Sequence, residues 1–105
     1  MLSGPLQAAP VDGVLYLHGF NSGSDSPKAR LMREACARIE HRGPLPCRTP
    51  NLSHRPAEAL ASAEAALAEL GDKVLLVGSS MGGFLASVLA ERHDLAAVLI
   101  NPAVN

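Results

Sequence analysis

Aromatic side chains are nearly absent from this 105-residue sequence, which has one tyrosine, two phenylalanines and no tryptophan. That scarcity argues against the stacked rings on which proteins seat bases or sugars. Charge of one sign is missing as well. Nine Lys and Arg against ten Asp and Glu leave a net charge of -1, which gives neither nucleic acid nor an anionic membrane a reason to bind. No apolar run approaches the ~20 residues of a membrane span. Met1–Pro10 lacks a basic start and a long apolar stretch, so residues 1–10 are expected to be a flexible tail rather than a signal peptide. The two cysteines, Cys36 and Cys47, show no CxxC spacing and no flanking histidine that would suggest zinc. Buried free thiols and a cytoplasmic location are the expectation.

What the sequence does contain is apolar residues, at 48%, against 18% charged, and this excludes a disordered chain. The length allows one domain, taken here as residues 11–105. Gly13–Gly19 is a short apolar run bounded by glycines and reads as a strand. A loop of turn formers follows, and Ser26-Pro27 has the form of a helix cap with proline at the first helical position. The helix it opens carries Leu31, Ala35 and Ile39 four apart, as well as Met32 and Cys36, and closes at Gly43-Pro44. Leu45–Thr49 is a weak strand interrupted by Pro46, hence near a sheet edge. Ser53 is a candidate cap for an alanine-rich helix that ends at Gly71. Val74–Val77, a helix to about His93, and Ala96–Ile100 complete the chain. Strand–helix alternation of this kind implies parallel strands with helices on both faces. The expected spatial order is second, first, third, fourth.

The aliphatic run Val74–Val77 stops at Gly78-Ser79-Ser80-Met81-Gly82, which fits G-x-S-x-G with Ser80 at its centre. In a strand–turn–helix setting that pattern is a nucleophile elbow. A serine hydroxyl is a poor nucleophile until a base takes its proton, and it must stand clear of the sheet to reach a carbonyl. The residues two positions either side of it approach closely and must be small. Gly78 and Gly82 meet this around Ser80, whereas Val77 and Met81 fail it around Ser79. Gly83 is expected to let the helix sit closer to the sheet. There is no Gly-Lys-Ser/Thr for a phosphate loop, and the glycines do not fit G-x-G-x-x-G.

His18-Gly19-Phe20 ends the first strand. Acyl transfer needs donors aimed at the developing oxyanion. The backbone N–H groups of Met81, after the nucleophile, and Phe20, in the loop after an earlier strand, are the candidates. His18 is expected to support that loop by hydrogen bonding, with no part in proton transfer. Asn21 and His54 are candidate pocket residues.

Together these segments resemble the small bacterial α/β-hydrolase esterases of the YqiA-like family. Leu15–Ser22 and the lysine-bearing helix are similar to that family's opening, Val77–Gly83 to its elbow, and Asn101–Val104 to the segment after its next strand. The likeness runs from about Val14 to Val104. It implies a three-layer α/β/α sandwich with a parallel sheet, the N-terminal half of an α/β-hydrolase fold. It further implies hydrolysis of a small-molecule carboxylic ester through an acyl-enzyme on Ser80. No metal or organic cofactor is implied.

A base and an orienting carboxylate are also needed, and in this superfamily they follow the nucleophile in the order Ser, Asp or Glu, His. After Ser80 the chain offers Glu91, His93 and Asp94, at the far end of the helix. At 1.5 Å per residue His93 lies roughly 20 Å away. His54 sits on the catalytic edge and could in principle approach Ser80, while His41 ends a helix on the opposite edge. In the resembled family the acid and the histidine come from later strands, which makes 11–105 a truncated domain by that reading. Ala96–Ile100, apolar throughout, would then leave an exposed sheet edge open to self-association. The alternatives are a non-catalytic module binding a ligand or partner at the strand ends, and a thioesterase or acyltransferase, which would share every residue named.

Overall fold

The first strand, β1 (Gly13–Leu17), is buried at every position, as its unbroken apolar sequence requires. Val14 and Tyr16 point into one core, Leu15 and Leu17 into another on the opposite face. The computed structural model describes residues 11–19, 26–38 and 45–102, and all statements about structure concern these. Ser26 caps α1 (Pro27–Arg38) by accepting the Ala29 N–H at 3.2 Å on its Oγ. A helix can lay only one stripe on a sheet. The stripe that α1 buries holds Ala29 and Cys36, with Met32 packed beside them. The neighbouring stripe faces solvent, and Leu31 is 63% exposed. Ile39 and the expected Gly43-Pro44 stop lie outside the described residues.

The second strand, β2 (Cys47–Arg48), is shorter than its apolar setting suggested. Pro46 cannot donate to a ladder, yet its carbonyl accepts the Val14 N–H at 2.9 Å, a pattern suited to an edge strand. Next, α2 (Pro56–Leu70) starts with proline at N1 and buries Ala59, Ala63, Ala66, Leu67 and Leu70. Arg55, not Ser53, holds the cap position. Ser53 acts before it, accepting the Arg55 N–H at 3.0 Å and donating to Glu58 Oε1 at 2.9 Å. At Gly71, with φ 110°, the chain turns out of the helix.

β3 (Val74–Ser80) runs straight into α3 (Met81–His93), and Asp94 ends that helix in the left-handed conformation. β4 (Ala97–Pro102) follows. The four strands are all parallel in the order β2-β1-β3-β4, as the alternation of elements demanded. On one face α2 and α3 pack over Leu15, Leu17 and Leu76; on the other α1 packs over Val14, Tyr16 and Val77. The fold is thus an α/β sandwich of three layers. Full burial of each such aliphatic side chain contributes about 1.5–3 kcal/mol, so β1 and β3 form the rigid centre. At the edge, Val98 and Leu99 on β4 stay 48% and 43% exposed. No helix among the described residues is long and apolar enough to cross a membrane.

Candidate functional site

Between β3 and α3 there is no loop at all. Ser80 is the last strand residue and Met81 the first helical one, so the whole change of direction falls on Ser80. Its backbone takes φ 53° and ψ -118°, outside the left-handed basin that a side chain tolerates best. Strain of this kind costs on the order of 1–3 kcal/mol and persists only where its surroundings enforce it. A register irregularity between Ser79 and Ser80, against β4, marks the same point. Ser79 is 4% exposed, whereas Ser80 is half-buried at the carboxyl edge of the sheet. Of the two serines, Ser80 is the one presented.

Two glycines enforce the turn by close approach. A Cβ on Gly78 would lie 2.6 Å from the Gly82 carbonyl carbon and 2.7 Å from Gly83 Cα. One on Gly82 would lie 2.5 Å from the Leu17 carbonyl carbon and 2.7 Å from the His18 oxygen. The Gly78–Gly82 approach follows the elbow spacing; the seating of Gly82 on the end of β1 does not. Gly83 differs from expectation, because a methyl there would meet only ordinary contacts at 3.7 Å. The helix is brought close by Gly82, not by Gly83.

The loop after β1 lies against the elbow. The space beside Gly19 Cα is shared with Ser80, whose Cβ and Oγ would be 3.1 and 3.4 Å from any side-chain carbon placed there. His18 fixes this arrangement. It is 3% exposed, and its Nε2 accepts the Leu52 N–H at 2.9 Å. An accepting Nε2 carries no proton, so Nδ1 holds it and donates to the Gly19 carbonyl oxygen at 2.7 Å. Both nitrogens of this neutral ring are occupied. Sequence reasoning anticipated a supporting histidine but not its partner. The one available signal is Leu52 itself, a lone aliphatic residue in a polar loop, and it is buried.

Ser80, Met81, Gly78, Gly82, Gly19 and His18 therefore gather at one point. Met81 is the first residue of α3, and the first N–H groups of a helix have no partner within it. They lie at the positive end of the helix dipole, beside the Ser80 hydroxyl, where developing negative charge is favoured. Phe20 and Asn21 lie outside the described residues, as does His41. His54 is exposed, two residues beyond Leu52 in the loop that His18 holds. Among the described residues no imidazole or carboxylate hydrogen-bonds Ser80.

At the other end of α3, His93 Nε2 lies 2.8 Å from Glu64 Oε1 and Arg92 donates to Glu64 Oε2 at 3.0 Å. Burial raises the Glu64 pKa, but the Arg92 and His93 hydrogen bonds and charges outweigh it and hold the carboxyl below its ordinary value. This cluster ties α2 to α3, and it is a helix length removed from Ser80. No group of three or more His, Cys, Asp or Glu among the described residues could hold a metal ion. Residues 13–105 match the model of an uncharacterised protein family, UPF0227.

Proposed function

The chain belongs to that family, the YqiA-like group of esterase-like α/β-hydrolases, and from this we propose that it hydrolyses carboxylic esters through Ser80. The observation that carries the proposal is the backbone of Ser80, held at φ 53° between two glycines and at the N-terminus of α3. In this reading Ser80 Oγ attacks the ester carbonyl carbon as a base removes its proton. The carbonyl oxygen becomes an oxyanion facing the N–H groups of Met81 and Phe20. Collapse of that intermediate breaks the bond to the alcohol, which leaves with the proton. Water then repeats the sequence on the acyl-serine and releases the acid. His18, with both nitrogens engaged, supports the loop and does not carry the proton.

Among the described residues no imidazole or carboxylate stands ready as the base at Ser80. His93 is bound to Glu64 far along α3, and His54 makes no bond to Ser80. The proposed substrate is a small-molecule carboxylic ester, and the proposed setting is the cytoplasm. Without a base only the modest catalysis of an oxyanion site and substrate binding remains. Residues 1–105 alone should accordingly turn over p-nitrophenyl acetate slowly or not at all. Robust turnover abolished by Ser80→Ala would move the base to His54.

A fluorophosphonate probe tests the reading in protein made from the complete coding sequence. Labelling at Ser80, lost in Ser80→Ala, is the expected result. Folded protein that resists the probe would favour a module that binds a ligand or partner without catalysis. The lack of a base among the described residues is what keeps that second reading in view.

A further inference from the structure

Cys36 faces the sheet from α1 and is buried, and Cys47 lies on the edge strand β2. The register pairs Cys47 with Val14, whose side chain belongs to the core that holds Cys36. Cys47 packs against that core, and the Leu45 N–H donates to the Cys36 carbonyl at 3.1 Å. Both cysteines are free. We propose that Cys36 and Cys47 are a modification site, closing to an intrachain disulfide on exchange with a low-molecular-weight disulfide and thereby fastening α1 to β2.

The half-buried Cys47 thiolate attacks one sulfur of the small disulfide and forms a mixed disulfide, releasing one thiolate that takes up the Cys47 proton. Cys36 then attacks the Cys47 sulfur, its own proton passes to the second leaving thiolate, and the protein S–S bond is complete. Two protein thiols and one small disulfide become one protein disulfide and two small thiols. The link joins two elements already packed together around one core.

Burial, with the neighbouring Cys36 adding to it, pushes the Cys47 thiol up to about 12, against an opposing effect of Arg33. Burial raises Cys36 too. The thiolate is the reactive form, so exchange is slow at neutral pH and its rate climbs about tenfold per pH unit from pH 7 to 9. An ordinary exposed cysteine would level off near its pKa of about 8.5.

Native protein incubated with oxidised glutathione tests this by intact mass and non-reduced peptide mapping. The expected product has lost two hydrogens, carries a Cys36–Cys47 linked peptide and remains a monomer. Closing a loop of about 12 residues raises Tm by up to about 10 °C, reversibly with dithiothreitol. In Cys36→Ser the reaction should stop at a glutathione adduct on Cys47, and in Cys47→Ser the buried Cys36 should stay unmodified. A persistent adduct on wild-type Cys47, a disulfide-linked dimer, or two thiols still alkylated in full after exposure at pH 9 would each overturn the proposal. The wild-type map decides the matter even if either serine variant fails to fold.

Discussion

Replacing Gly82 by alanine tests the packing that holds the elbow in place. The added Cβ would sit 2.5 Å from the Leu17 carbonyl carbon and 2.7 Å from the His18 oxygen, and closer still to the Leu17 oxygen. Carbon atoms in contact rest about 3.5–4.0 Å apart, so the overlap is roughly 1 Å, and both sides of it are backbone. Overpacking against side chains, which can move, already costs about 1–3 kcal/mol. Here Leu17 belongs to a strand buried on both faces, and the helix cannot retreat without unseating Ser80. Gly82→Ala should therefore lose at least about 3 kcal/mol, a large share of the 5–15 kcal/mol that roughly bounds a domain's stability. Gly83→Ala is the internal control. Its methyl meets contacts of 3.7 Å and gains up to about 1 kcal/mol of helix propensity, about 4 °C in Tm. Urea unfolding followed by circular dichroism, with the slope m compared across variants, measures both. A Gly82→Ala protein within 1 kcal/mol of wild type, or a Gly83→Ala protein equally damaged, would refute the account of why the turn holds.

Three further outcomes follow from the same geometry. Ser80→Gly should raise stability by about 1 kcal/mol, as relief of the positive φ exceeds the entropy glycine loses, whereas Ser80→Ala keeps the strain and should leave stability unchanged; thermal melts of the pair separate the two. His18→Ala leaves the buried Leu52 N–H without an acceptor and should cost about 2–3 kcal/mol, with faster amide exchange at Leu52 as its local signature. Glu64→Gln should lose no more than about 1 kcal/mol at pH 7, because the Arg92 and His93 pairs are partly solvated. Since the Glu64 carboxyl is held below its ordinary value, its contribution is present above that value and fades as pH falls through the lowered one, so variant and wild type should converge at the acid end of titrations of stability.

Much of this architecture could be read from residues alone, and the reason is the kind of information each feature uses. The strand order follows from the alternation of elements and the direction of crossovers, which leave few topologies open. The choice of Ser80 over Ser79 needed only the sizes of the residues two positions away. Features built from backbone groups were harder to see. Any residue other than proline has an N–H, so nothing in the identity of Leu52 announces that its amide meets His18. Helix faces were only partly legible. The Leu31 stripe of α1 matches the helical period as well as the Met32–Cys36 stripe, and only docking selects between them. For Gly83 the motif suggests close packing, but the distance to Leu99 decides and leaves room for a methyl. The Glu64–His93–Arg92 cluster arises where α2 meets α3, a tertiary event with no local trace.

The seating of Gly82 on the Leu17 carbonyl also bears on the order in which the molecule assembles. Gly82 and Leu17 come from opposite ends of the described chain, as do Gly19 and Ser80. Contacts between segments so distant in sequence carry the cost of closing a long loop and tend to form late in folding. Until β1 docks beside β3, nothing presses on Gly82, and Ser80 is free to relax into an ordinary conformation. The Ser80 geometry is thus acquired on completion of the sheet, and partly folded chains present an unstrained serine.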